Sequence, residues 1–264
     1  MILAFNKYQA TGNDFILIDD RERRFDVQNS SLIHRLCNRR FGIGGDGLIL
    51  LRTEPGADFR MIYFNSDGYE GSMCGNGGRC AAAFANILFP EKNKFVFKAF
   101  DGLHEATLAA RKDDGFIVRL SMSDVLPPEQ MGEDVVLNTG SPHYVSFVED
   151  TSNLDINREG RLIRNSEPFL RDGINVNFAE IHNQSITVRT YERGVEEETL
   201  SCGTGVTASA IAAFSKGLIS QPKVRVFTRG GDLEVDFTSA NGAGYSEVFL
   251  TGEAMPVFQG VIEV

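Results

Sequence analysis

The sequence predicts an α+β protein built from two similar half-chains, each a set of short strands around one buried, alanine-rich helix. Three observations predict it. Short apolar runs punctuated by Gly, Asn and Asp recur along the chain, as strands and turns require. Two stretches, Gly78–Leu88 and Gly205–Phe214, are Ala-rich and lack polar residues over much of their length, and a helix apolar nearly all round is a buried helix. Finally, the chain repeats itself at an offset of 202 − 74 = 128 residues. Thr11-Gly12 falls on Thr139-Gly140, Tyr63 on Tyr191, and Cys74-Gly75-Asn76-Gly77 on Cys202-Gly203-Thr204-Gly205. A turn, a strand and a Cys-Gly-x-Gly helix start in one gapless register define a duplication.

In chain order the strand candidates include Phe15–Ile18, Leu48–Leu51, Arg60–Phe64, Lys94–Phe97, Gly115–Val118, Ser185–Val188 and Lys223–Phe227, with short helices near 30–39 and 153–164. The halves meet near residue 118, giving one domain of 1–118 that carries Cys74 and another of 119–251 that carries Cys202. The tail, about 252–264, is expected to return and pair with the first half.

Length and composition bound the function. The chain has 264 residues, 42% hydrophobic and 23% charged, which is the profile of a globular protein and excludes disorder, collagen and coiled coil. No apolar run approaches the roughly 18 residues of a membrane span, and the first residues turn polar too soon for a signal peptide, so a cytoplasmic protein is expected. The net charge of −10, with no long basic block, argues against nucleic acid. The short basic stretch Arg35–Arg40 reads as a solvated helix face. Four cysteines without a CxxC pair, in a chain of this size, read as free thiols rather than a disulfide framework or a zinc site, and no metal is assigned.

The thiols divide by context. Cys74 and Cys202 each stand just before a glycine-rich helix start. A helix N-terminus offers unpaired N–H groups and the positive end of the dipole, which favour thiolate and can cradle a carboxylate. A cysteine at a helix cap can be merely a small buried residue, but two at equivalent repeat positions point to reactivity. Cys80, inside the Ala-rich helix, and Cys37, without glycines around it, read as packing residues. Two opposed thiols suit one reaction in particular. One thiolate removes a proton from a carbon, and the other thiol returns one to the opposite face, inverting the centre. The Cα–H of an amino acid is a very weak acid, so the helix ends would have to stabilise a carbanion through its carboxylate.

Eight segments carry a family resemblance: Thr11–Phe15, Phe41–Gly47, Asn65–Gly68, Met73–Gly77, Gly140–His143, Asn175–Phe178, Tyr191–Gly194 and Ser201–Gly205. In this order they cover essentially the whole chain, which resembles the diaminopimelate epimerases, cofactor-independent amino-acid epimerases of lysine and cell-wall precursor synthesis. The resemblance implies two mirror-like domains, each a mixed or antiparallel β-sheet barrel around a central helix, with the site in the cleft between them. It also implies a homodimer, diaminopimelate as the small-molecule substrate, and neither metal nor pyridoxal phosphate. Cys74 and Cys202 become the acid–base pair. Gly75-Asn76 and Gly203-Thr204 become the α-carboxylate loops. Asn13, Asn65, Asn175 and Arg193 are to hold the distal amino-acid end, with Arg for a carboxylate fork and amide oxygens for an ammonium. Glu192 receives the reacting amine or tunes a thiol, and His143 lies beside a catalytic cysteine as a neutral imidazole that can accept its proton. Taken alone, the asparagines read as turn residues, Glu192-Arg193 as a solvated strand-end pair and His143 as a structural histidine.

The chain also departs from the pattern. Ser141 stands where many members carry Asn, and Gly47 where some carry Gln. The stretch between Arg193 and Cys202 is one residue longer, a surface-loop change that leaves Glu196, Glu197 and Glu198 without a role. Three other readings compete with this one. Gly42-x-Gly44-x-x-Gly47 fits a dinucleotide fingerprint, but a strand follows where a helix is required. Proline and hydroxyproline racemases share the two-cysteine logic but resemble Cys-Gly-His-Gly at the first site, where this chain has Asn76. A thiol-regulatory protein would use Cys74 and Cys202 as a disulfide.

Overall fold

A computed structural model describes residues 2–240 and 242–264. The chain forms two compact units, Met1–Leu120 with Gly252–Val264, and Ser121–Thr251.

The first unit contains strands β1 (Ile2–Ala10), β2 (Asn13–Asp19), β3 (Gly47–Arg52), β4 (Phe59–Asn65), β5 (Lys94–Ala99), β6 (Gly102–Lys112) and β7 (Gly115–Ser121), with helices α1 (Ser30–Cys37) and α2 (Gly75–Leu88). The second contains β8 (Glu129–Met131), β9 (Asp134–Asn138), β10 (Pro142–Phe147), α3 (Ile156–Arg164), β11 (Asn175–His182), β12 (Ser185–Glu192), β13 (Glu197–Thr199), α4 (Gly203–Ser215), β14 (Lys223–Thr228) and β15 (Gly231–Ala240). The last strand, β16 (Gly244–Glu263), begins in the second unit and ends in the first.

Strands β1 to β7 lie in sequence order, followed by β16, which also pairs antiparallel with β1 from Ile2↔Glu263 to Gln9↔Met255 and so closes the sheet of the first unit on itself. In the second unit the order is β16-β15-β14-β12-β11-β10-β9-β8, with β13 set against β12.

The duplication seen in the sequence is a duplication of pairing. In the first unit β2–β3 is parallel, β3–β4 antiparallel, β4–β5 parallel and β5–β6 antiparallel. In the second, β10–β11, β11–β12, β12–β14 and β14–β15 repeat that series of senses. Helices α2 and α4 begin at Gly75 and Gly203, 203 − 75 = 128 residues apart.

Burial explains why the strands read as they do. Helix α2 packs against β1, β2, β3, β4 and β6, and every residue from Gly75 to Ala85 is buried. Helix α4 packs against β9 to β12, β14 and β15, with Gly205 to Ala213 buried throughout. Glycine and alanine let the surrounding strands come close to the helix axis. The short helices cover the outer faces. Ile33, Leu36 and Cys37 of α1 join Leu48, Leu50 and Phe64, while Ile156 of α3 joins Val176, Phe178 and Tyr191. A strand covered on both faces must be apolar throughout, which is the pattern of β3 (Leu48–Leu51, all buried). With only one face covered the pattern alternates, as in β5.

All four cysteines are free thiols. The glycines of the 42–47 segment lead directly into β3, so this loop lacks the helix a dinucleotide pyrophosphate needs. Among the described residues no helix is long and apolar enough to cross a membrane.

The two central helices are not equally anchored. Phe84 is 2% exposed and meets Tyr8 edge-on at 6.1 Å, whereas Phe214 is half-buried against Phe237 and Tyr245. Phe84→Ala is expected to cost about 3–5 kcal/mol and Phe214→Ala about 1–2 kcal/mol, read from urea unfolding by circular dichroism. Equal losses would show that the outer turn of α4 is as tightly packed as that of α2.

Candidate active site

Each thiol occupies the same backbone position. Cys74 is the N-cap of α2 with φ −109°, ψ 119°, and Cys202 the N-cap of α4 with φ −114°, ψ 110°. The next two residues, Gly75-Asn76 and Gly203-Thr204, supply the leading N–H groups of these helices, where the dipole favours an anion. Glycine is required at the third position of α4 by close approach: a Cβ on Gly205 would fall 2.3 Å from Asn177 Oδ1.

The surroundings of the two thiols differ. The Cys74 sulfur accepts a hydrogen bond from the Gly77 N–H at 3.5 Å and lies 3.9 Å from Asn13 Oδ1. Asn76 donates from Nδ2 to Asn13 Oδ1 at 3.3 Å, and Asn76 Oδ1 accepts from Arg79 at 2.9 Å and from Thr11 at 3.3 Å. Asn13 is fixed from its other side by donating to Asp46 at 2.5 Å. Burial acts to raise the neighbouring Asp14, but hydrogen bonds from Arg39 and Lys7 outweigh it and hold that carboxyl well below the usual range. Arg39 of the basic stretch therefore serves Asp14 and Asp46 rather than a bound phosphate. Cys202 is 8% exposed, makes no side-chain cap bond to its helix, and lies 3.5 Å from Thr204 Oγ1. Thr139 Oγ1 donates to the Thr204 carbonyl at 2.9 Å, tying the turn before β10 to the start of α4.

In the second unit Ser141, His143, Asn175, Asn177, Glu192 and Arg193 lie on or at the ends of β10, β11 and β12, neighbouring strands against which α4 packs. Asn175 donates to Ser141 Oγ at 2.9 Å and to the Pro142 carbonyl at 3.2 Å, and accepts from the Arg193 backbone N–H at 2.9 Å. Its amide thus locks two loops in place. Arg193 is exposed, and its guanidinium holds the Asp172 carbonyl at 2.8 Å but forms no ion pair among the described residues. Glu192 accepts from Thr199 Oγ1 at 2.5 Å. Asn65, at the end of β4, is exposed.

His143 is completely buried, and burial pulls its pKa down to about 3, with the Arg193 charge adding to the effect. Its Nδ1 faces Asn177 Nδ2 at 3.1 Å, and the same Nδ2 donates to the Tyr144 carbonyl at 2.9 Å. A carbonyl can only accept, so that amide nitrogen is identified as the donor, Nδ1 of the ring is the acceptor, and the hydrogen-bond network assigns the neutral proton to Nε2. Nε2 has no hydrogen-bond partner among the described residues. The ring therefore presents an N–H donor rather than an open acceptor.

Three residues with a part in this arrangement carried no role in the sequence reading. Asn177 orients His143 and accepts from Thr190 Oγ1 at 2.9 Å. Its signal was its period-2 spacing from Asn175, which puts both side chains on one face of β11. Arg79 braces Asn76 from inside the helix. Tyr63 occupies the space beside Gly47: a Cβ on Gly47 would fall 2.4 Å from the Tyr63 ring and 2.5 Å from the Phe64 carbonyl, and one on Gly71 would lie 2.7 Å from the same ring. The Tyr63 ring and the Phe64 carbonyl leave no volume for a side chain at position 47. The 193–202 segment makes a tight turn in which Glu196 adopts φ +60° and accepts from Tyr191 Oη at 3.0 Å and Gly194 N–H at 3.1 Å. Glu198 pairs with Arg189 and Arg229, so these acids stitch the loop down. Among the described residues no cluster of His, Cys, Asp or Glu could hold a metal ion.

Two outcomes follow from this geometry. Gly47→Ala should destabilise the protein by about 1–3 kcal/mol through overpacking against Tyr63 and Phe64, and a neutral result in thermal unfolding would mean that the Tyr63 ring can swing away. His143 is neutral when folded but protonates near its ordinary value when unfolded, so acid favours the unfolded chain. Its contribution is complete above about pH 6.5 and is lost as pH falls toward about 3. Between pH 6.5 and 4.5 the wild type should lose about 2–3 kcal/mol more than His143→Gln. Parallel losses in urea unfolding at the two pH values would contradict a buried neutral ring.

The family model for diaminopimelate epimerase matches residues 5–125 and 135–257. The diaminopimelate epimerase of Flavobacterium psychrophilum is 49% identical over 259 residues, covering 97% of this chain and 98% of its own. That of Aquifex aeolicus is 40% identical over 277 residues, covering 98% and 97%. Among solved structures, a phenazine biosynthesis protein of the PhzF family from Bacillus anthracis superposes with a TM-score of 0.71 at 13% identity, covering all of both chains. A hydroxyproline epimerase from Agrobacterium vitis superposes with a TM-score of 0.70 at 14% identity, covering 99% of this chain and 92% of its own. These two likenesses concern the fold, which is the two-domain α+β fold expected from the duplicated sequence. With two cysteines at duplicated helix caps and full-length relatives of one name, the chain belongs to the diaminopimelate epimerase family and is an isomerase.

Proposed function

We propose that the protein interconverts LL- and meso-2,6-diaminopimelate by two-thiol proton transfer at one Cα, in the supply of lysine and peptidoglycan precursors. The observation that carries this reading is a cysteine at the N-cap of each buried helix, at equivalent positions of the repeat, in a chain of this family.

In this mechanism one cysteine comes from each half, 1–118 with the tail and 119–251. One thiolate takes the Cα proton and becomes a thiol. The C–H electron pair stays on Cα, delocalised into the α-carboxylate. The opposite thiol then gives its proton to the other face and becomes the thiolate. The reverse direction exchanges the roles of Cys74 and Cys202. The α-carboxylate sits on the N–H groups of Gly75-Asn76 and Gly203-Thr204, where preorganised dipoles stabilise the developing negative charge without proton transfer to the substrate. Arg193 has a guanidinium without an ion pair among the described residues, which suits it to the distal carboxylate. Asn13, Asn65 and Asn175 serve the distal ammonium, with Asn175 also fixing the Arg193 backbone. Glu192 receives the reacting amine. His143 supports the Cys202 side as an N–H donor to developing negative charge. Residue chemistry alone completes this cycle, without pyridoxal phosphate.

A cytoplasmic homodimer is part of the same reading. Support for the dimer comes from the β1/β16 pair, where Ile2, Val257, Phe258 and Val261 are large, apolar and exposed. Sedimentation should give twice the 29.1 kDa chain mass.

Incubation with LL-diaminopimelate in deuterated water, with no added cofactor, should yield the meso isomer labelled at the inverted α-carbon. Inversion of proline with none of diaminopimelate would move the assignment to the racemases of that class. Cys74→Ala and Cys202→Ala should each lower turnover by roughly 100- to 10,000-fold. Full epimerisation by either variant would remove the two-thiol mechanism. Loss of activity on adding reductant would favour a disulfide-dependent protein instead.

A further inference from the structure

We propose that Arg79 is a positioning residue whose buried charge makes Cys74, rather than Cys202, the cysteine that rests as thiolate. This inference rests on the two-thiol reading above.

Arg79 is fully buried one turn into α2. All of its hydrogen-bond acceptors are neutral: the Glu253 carbonyl at 3.4 Å, the Gly75 carbonyl at 3.4 Å, Thr11 Oγ1 at 3.2 Å and Asn76 Oδ1 at 2.9 Å. It forms no ion pair among the described residues. A guanidinium withdrawn from water without a counter-ion is strongly unfavourable, so the site favours any acid nearby that can become an anion.

The titratable neighbours can be taken element by element. On α2 itself, Cys80 is fully buried, and burial pushes its thiol far above neutrality. From β1, Tyr8 is pushed up to about 12 by burial, and Lys7 is a cation already paired with Asp14 of β2. Asp14 is also engaged by Arg39. From β16, Glu253 offers Arg79 only its carbonyl, because its carboxylate pairs with Lys112. From β6, His104 pairs with Asp101 and stacks on Phe97. Strands β3 and β4 meet the helix start through Ile49 and Met61. The acid left to neutralise Arg79 is Cys74, whose sulfur already receives the Gly77 N–H. Burial lowers Arg79 itself to about 10, with the Cys80 and Cys74 thiols acting the other way, so the guanidinium remains charged at neutral pH.

The duplication supplies an internal comparison. At offset 128, Arg79 corresponds to Thr207, which spends its hydroxyl on the Gly203 carbonyl at 2.9 Å. Helix α4 has no ionisable residue from Gly203 to Ser215. Cys202 makes no side-chain cap bond to its helix, and His143 of β10, a strand packed against α4, is held neutral. Helix α4 thus offers Cys202 its dipole, with the neutral Thr207 where α2 has the buried guanidinium of Arg79.

The test is alkylation of the full-length protein by iodoacetamide across about pH 5 to 10, with each cysteine followed by peptide mass spectrometry. Thiolate is the reacting species, so the midpoint of each profile reports its ionisation. In the wild type the Cys74 midpoint should lie at least about one pH unit below that of Cys202, a tenfold difference in thiolate fraction at acidic pH. Arg79→Met should raise the Cys74 midpoint by about one unit or more and leave Cys202 in place, and Arg79→Lys should retain most of the low midpoint. Equal midpoints in the wild type, a lower one for Cys202, or an unmoved Cys74 in Arg79→Met would overturn the proposal. Should Arg79→Met fail to fold, the wild-type contrast and Arg79→Lys still decide. Epimerisation assays on the same samples separate the two readings: turnover with matched midpoints removes only the role of Arg79, whereas a low Cys74 midpoint without turnover removes the proposed reaction.

Discussion

The structure depends on enclosing a helix on all sides. A helix wrapped by strands has no solvated face, so its side chains must be small or apolar, and its backbone is satisfied internally except at the ends. Helices α2 and α4 meet the first demand with runs of glycine and alanine. The second demand creates the chemistry. The unpaired N–H groups at each helix start need an acceptor, and in both units the residue at that cap is a cysteine followed by glycine or a short polar side chain. An anion-binding point is therefore a by-product of burying the helix, and the thiol stands where an anion is stabilised.

Legibility in the sequence followed the range of the interactions. The central helices, the strands around them and the 128-residue repeat are local or periodic signals, and they appear in the structure as Gly75–Leu88, Gly203–Ser215 and a repeated series of strand pairings. The thiols were legible because their position depends on a helix start a few residues away. The asparagines were not legible from pattern alone. Asn13, Asn175 and Asn177 are placed by partners 18 to 63 residues distant, such as Asn76, Arg193 and His143. The tautomer of His143 is likewise hidden in the sequence, because it is set by Asn177, whose own orientation is set by the Tyr144 carbonyl. The filling of the Gly47 position by Tyr63 depends on cross-strand geometry between β3 and β4.

The electrostatics of the site owe little to the −10 net charge. The formal charges of the surface are largely matched locally: Asp14 by Lys7 and Arg39, Glu198 by Arg189 and Arg229, Glu196 by Arg164. Exposed pairs of this kind add little stability, though those that are half-buried hold loops in register. What remains near the thiols is a set of backbone dipoles and amides, with the buried guanidinium of Arg79 in the first unit and the neutral imidazole of His143 in the second. Such groups can face a zwitterionic amino acid without being neutralised by counter-ions, and being fixed by packing they need not reorganise when charge appears.

The two halves are alike in topology but not in the groups behind each thiol. Strict symmetry would leave two cysteines of equal acidity, and a thiolate–thiol pair would then be one of two equally populated arrangements. On the proposed reading, the first unit would break the tie with polar groups that the second replaces by hydroxyls: Asn76 against Thr204, and Arg79 against Thr207. Each replacement keeps a hydrogen bond within its own helix start, Thr204 to Cys202 and Thr207 to the Gly203 carbonyl, so α4 remains packed without the buried cation. An epimerase must run from either stereoisomer, and therefore from either ionisation state of the pair. A bias in the free protein sets which state is stored between turnovers, while the overall equilibrium between the isomers remains a property of the substrates alone.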